Sequence, residues 1–62
     1  MDVTFEISRI LINGVMYCVL KTANEKFISL NKGCHYTNLL KTMDYISNEI
    51  QAQGFSCCFI IA

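Results

Sequence analysis

Asn13-Gly14, set between two apolar runs, constrains this chain more than any other pair of residues. A two-residue type I′ turn needs positive φ at both central positions, and Asn-Gly accepts that geometry readily. The residues before it alternate. Val3, Phe5, Ile7 and Leu11 fall on one face of a strand, and Thr4, Glu6 and Ser8 on the other. A period of two marks a strand with one buried face.

A two-residue turn also sets the register of the hairpin. It places Ile12 opposite Val15, Leu11 opposite Met16, Ile10 opposite Tyr17, Arg9 opposite Cys18, Ser8 opposite Val19, Ile7 opposite Leu20 and Glu6 opposite Lys21. The pairing is self-consistent, since opposite charges meet at Glu6 and Lys21 while Ile7 and Leu20 meet on the other face. The second run, Val15 to Thr22, is almost wholly apolar, as expected of a central strand.

Downstream, Ala23-Asn24-Glu25 is a short polar break, and Lys26 to Leu30 has the β-branched and aromatic content of a third strand. A three-residue connection sets Ile28 opposite Leu20 and Leu30 opposite Cys18, with Asn31-Lys32-Gly33 as the next turn. Thr37 is the expected N-cap of a helix of about 16 residues, on which Leu39, Leu40, Met43, Ile46 and Ile50 recur at helical spacing. Gly54 supplies the left-handed position that ends it, and Phe55 to Ile61 forms a last strand.

These elements predict a small β-β-β-α-β domain of the α+β class. Its mainly antiparallel four-stranded sheet has the order 3-2-1-4, the last strand returning parallel beside the first, with one helix packed on one face. The chain of 62 residues allows one domain spanning 1–62. The expected core packs Leu39, Met43, Ile46 and Ile50 onto Phe5, Ile7, Leu11, Met16, Leu20 and Ile28.

Charge narrows the function. Five acidic and five basic residues give a formal net charge of +0, with no basic stripe to collect phosphates or anionic lipid. The charge pattern therefore argues against nucleic acid as a partner, and no membrane association is expected. The apolar residues at the N-terminus alternate rather than form a targeting block, and a cytoplasmic location is expected. In that compartment Cys18, Cys34, Cys57 and Cys58 stay reduced and act as small hydrophobes.

No catalytic, metal or cofactor site is expected. Cys34-His35 and Cys57-Cys58 could be proposed as zinc ligands, but neighbours on a strand diverge and neither pair has zinc-site spacing. The same divergence argues against a thiol–imidazole couple. Asp44 and Glu49 do not pair on a helix, and the three glycines are isolated.

The informative feature is the sheet face away from the helix. By the register it carries Ile10, Ile12, Val15, Tyr17, Val19 and Phe27, an apolar patch of the kind that marks an interface. The uncharged, proline-free last strand would also invite pairing if it lay at an edge. The reading is a non-catalytic protein-interaction module that binds a partner protein and forms a homodimer. A small inhibitor, an antitoxin-like protein or a viral or phage accessory protein would act in this way. The alternative is a small RNA- or DNA-binding sheet that uses Tyr17, Phe27 and Lys21.

Overall fold

A computed structural model describes all 62 residues. Strands β1 (Asp2–Ile12) and β2 (Val15–Thr22) form the hairpin. A 3-10 turn (Glu25–Leu30) leads to β3 (Lys32–His35), and a second (Tyr36–Asn38) leads into helix α1 (Leu39–Ala52). Strand β4 (Ser56–Ile61) completes a sheet of order β3-β2-β1-β4. The β1–β2 and β2–β3 pairs are antiparallel and the β1–β4 pair is parallel, so the α+β class and the strand order are as expected.

The turn is built as its dipeptide requires, with φ of 50° at Asn13 and 78° at Gly14. Every predicted hairpin pair is present, from Ile12–Val15 to Glu6–Lys21. Gly54 takes φ of 85° just past α1 and donates its N–H to the Gln51 carbonyl.

The connection after β2 differs from the expectation. Residues 26–30 form the 3-10 turn instead of a strand, and the expected turn at 31–33 belongs largely to β3. Asn24 is the cause. Its side-chain oxygen accepts from the Lys26 N–H at 3.1 Å and its carbonyl accepts from the Phe27 N–H at 3.0 Å, so the chain coils at once. Asn31 then anchors the far end, its Oδ1 accepting from the Thr22 N–H at 2.8 Å. Leu20 consequently faces Lys32, and Cys18 faces Cys34.

The helix also starts later than expected. His35, not a helix residue, is served by Thr37: the Thr37 N–H donates to His35 Nδ1 at 3.3 Å, inside the short 3-10 turn. Asn38 occupies the cap position of α1.

The core is small and lies toward one end of the molecule. Val3, Phe5 and Ile7 from β1, Cys18 and Leu20 from β2, Phe27 from the 3-10 turn, and Ile46 and Ile50 from α1 are all buried. Phe5 stacks on Phe59 at 5.8 Å, and Phe27 meets Phe55 edge-on at 5.4 Å. Leu39 and Met43 are only partly buried against this cluster. Leu11, Met16 and Ile28, expected inside, are exposed. Coiling at Asn24 turns Phe27 inward and leaves Ile28 outside, while Leu11 and Met16 lie too far along the hairpin for the helix to cover.

Candidate protein-binding surface

The strands differ in length, and this positions the surface. β4 pairs with β1 only from Asp2 to Ile7, with one further bond from the Ala62 N–H to the Ile7 carbonyl. β3 pairs with β2 only from Tyr17 to Leu20. Residues Ser8–Ile12 therefore have no neighbour on the β4 side, and Val15 and Met16 none on the β3 side. The hairpin projects as a two-stranded ribbon whose β1 arm extends about 17 Å at the usual rise per residue. The molecule is accordingly elongated, measuring 39 × 19 × 18 Å.

Beyond Arg9 this ribbon is apolar on both faces. Ile10, Ile12, Val15 and Tyr17 stand exposed on the face away from α1, with Val19 half-buried behind them. Leu11 and Met16 stand exposed on the opposite face. A soluble ribbon would normally be polar on at least one side, because two strands alone cannot bury both. Tyr17 is oriented by His35 on β3, whose ring it meets edge-on at 5.6 Å. The His35 ring is fixed in turn by Thr37, with Nδ1 2.8 Å from Oγ1.

Five of the six residues assigned to the patch from sequence thus share the open face. The sixth does not. Phe27 is 1% exposed within the core, on the helix side of the sheet, and does not belong to the exposed patch. That also separates the aromatic pair on which a nucleic-acid-binding sheet would have depended, since Tyr17 and Phe27 do not share a surface. Lys21 lies farther down the open face, opposite Glu6, where both line an open depression with Thr4, Thr22 and Ala23.

The sequence reading missed Leu11 and Met16 as surface residues. Their alternation matched the core face, and only the lengths of β3 and β4 show that the core ends before them. It also missed a second apolar notch at the start of α1, lined by Tyr36, Thr37, Leu39 and Leu40, where Leu40 is 79% exposed.

The cysteines are dispersed. Cys18 is buried, Cys34 and Cys57 are intermediate, and Cys58 is exposed, all with free thiols. Burial pushes the Cys18 thiol above its ordinary range. The nearby Cys34 thiol adds to this and Arg9 opposes it. The Cys57 thiol is also pushed up, by burial first and by Cys58 second. Cys34 follows the core-side register of Cys18, whereas His35 follows the open-face register of Tyr17. No group of three or more His, Cys, Asp or Glu residues converges as a metal-binding set. No helix is long and apolar enough to cross a membrane.

Compared with known proteins, the chain matches no family model, no curated protein and no solved structure. Its surface geometry is what bears on function.

Proposed function

We propose that this chain is a non-catalytic interaction module that binds a partner protein through the projecting β1–β2 ribbon. The observation that carries the reading is the ribbon's two apolar faces. Leu11 is 67% exposed and Ile12 50%, and neither contributes to the chain's own core. Apolar area removed from water is worth about 25 cal/mol per Å². A partner groove closing over both faces would gain that stabilisation, which the isolated chain leaves unused. A cytoplasmic setting belongs to the proposal, since the four thiols are free and no disulfide supports the fold. By occupying a surface on its partner, so small a chain would act as an inhibitor or an antitoxin-like or viral or phage accessory protein acts.

The test compares the full chain with Val15→Glu, Tyr17→Glu and Lys21→Glu in capture and quantitative binding of a cellular partner. The two apolar substitutions should reduce binding at least tenfold while circular dichroism shows an unchanged fold, and Lys21→Glu should retain it. Binding insensitive to Val15→Glu and Tyr17→Glu would refute the assignment. Loss with Lys21→Glu, together with steep salt dependence and captured RNA or DNA, would transfer it to nucleic acid.

A further inference from the structure

Strand β4 ends the sheet on one side, and nothing in its sequence guards that edge. Ser56 donates its N–H to the Met1 carbonyl and Ala62 donates to the Ile7 carbonyl. These two bonds show that the even-numbered residues aim their backbone groups at β1. Alternation along the strand then turns the N–H and C=O groups of Cys57, Phe59 and Ile61 outward. The opposite edge, β3, is only four residues long and carries Lys32 and His35. Short edges with charged side chains are how sheets discourage edge pairing, and β4 has neither feature.

We propose that β4 pairs antiparallel with β4 of a second copy of this chain, with Phe59 opposite Phe59 of that copy. The outward groups are spaced symmetrically about Phe59, so the pairing sets Cys57 of each copy opposite Ile61 of the other. Every outward N–H and C=O then finds a partner around a two-fold axis. Ser56–Ile61 contains no charged residue, so no like charges meet across the axis. Cys57 and Phe59, half-buried on the helix side, gain cover, and Cys58 meets Ile60 of the other copy on the open face. Two-fold closure uses up both β4 edges, so at this edge the assembly is a closed pair rather than an open fibre. The surface is separate from the hairpin ribbon, so the inference stands or falls independently of the proposed partner binding.

The test uses the full chain under reductant. Light scattering over roughly a hundredfold dilution should show a reversible monomer–dimer equilibrium. C58K/I60K places like charges directly opposite each other twice and should weaken the dimer about tenfold or more. C58E/I60K places opposite charges at the same two contacts and should restore it. Cys58 and Ile60 are both exposed, and circular dichroism checks that each variant folds. As a second measurement, Ile60→Cys introduces a thiol opposite Cys58 of the other copy. That is a non-hydrogen-bonded pair with Cα atoms about 4.5 Å apart, within disulfide range. Mild oxidation should yield a covalent dimer that C58S/I60C does not form. A monomer at all concentrations up to roughly 1 mM would overturn the proposal. So would a dimer indifferent to the sign of the introduced charge, or one lost with Val15→Glu and unaffected by C58K/I60K.

Discussion

Ile7 and Leu11 lie on the same face of β1, and alternation treats them alike, yet the fold does not. Ile7 is 1% exposed and Leu11 is 67% exposed. Truncating a buried isoleucine to alanine costs about 2–5 kcal/mol, because transfer energy is lost and a cavity remains. For Leu11 only about a third of the side chain is shielded. With complete burial of such a side chain worth about 1.5–3 kcal/mol, Leu11→Ala should cost about 0.5–1 kcal/mol. A domain of 62 residues has about 3–9 kcal/mol of total stability at the usual value per residue. Ile7→Ala should therefore remove a large part of it and Leu11→Ala very little. Urea unfolding followed by far-ultraviolet circular dichroism measures this. With a slope near 1 kcal/mol per M, expected at this size, the midpoint should fall by about 2 M or more for Ile7→Ala and by about 1 M or less for Leu11→Ala. Equal shifts would refute the reasoning, because they would mean that the ribbon is covered within the chain and is not free to bind a partner.

Phe27 and Ile28 provide the same contrast in the 3-10 turn: Phe27→Ala should cost about 3–5 kcal/mol, and Ile28→Ala, half shielded, about 0.8–1.5 kcal/mol, in the same urea assay. The reverse order of costs would restore the extended strand that the sequence pattern indicates there, with Ile28 inside and Phe27 on the open face. Alkylation of the native chain at neutral pH should modify Cys58 first and Cys18 last, read by mass spectrometry of peptides, since reactivity follows exposure and thiolate fraction. The raised Cys18 thiol also makes stability pH-dependent. In the unfolded chain it ionises near its ordinary value while in the folded chain it stays protonated, so the unfolded state holds fewer protons as pH rises. Stability should then fall as pH rises past about 8.5, the ordinary thiol value, and Cys18→Ala should flatten that slope in thermal unfolding.

The hairpin and its register were legible because they rest on a short-range rule, and the sheet order because a parallel return beside β1 has one preferred hand. Asn13-Gly14 dictates a turn, the turn dictates pairing, and amphipathic spacing from Leu39 to Ile50 dictates a helix that must lie on the sheet. The misreadings in the segment after β2 share one cause. Lys26–Leu30 has strand composition, but a single side chain, Asn24, captures the Lys26 N–H and coils the chain before strand propensity can act. Phe27 was assigned to the open face by continuing the strand's alternation through that segment, and the assignment failed with it. Leu11 and Met16 illustrate the complementary limit. Alternation tells which face a residue occupies, whereas burial depends on how far neighbouring elements reach, and the lengths of β3 and β4 are tertiary facts.

Those lengths also explain why the surface is shaped as it is. β1 has eleven residues against six in β4 and four in β3, so the hairpin outruns its own sheet. If the ribbon served only to close the turn, Asn13-Gly14 would hold it with polar side chains on both faces. Instead Ile10, Leu11, Ile12, Val15, Met16 and Tyr17 occupy it, each between 36% and 67% exposed. Keeping these groups in water adds nothing to the fold and raises the tendency to associate indiscriminately. A second chain that covers the ribbon turns the same residues into binding energy. The two exposed features also differ in the contact they offer. The ribbon presents side chains on two faces, which suits a groove, whereas the β4 edge presents backbone groups in a self-symmetric register, which suits an identical strand. Partner binding and self-pairing can therefore occur together on one chain without competing for the same atoms.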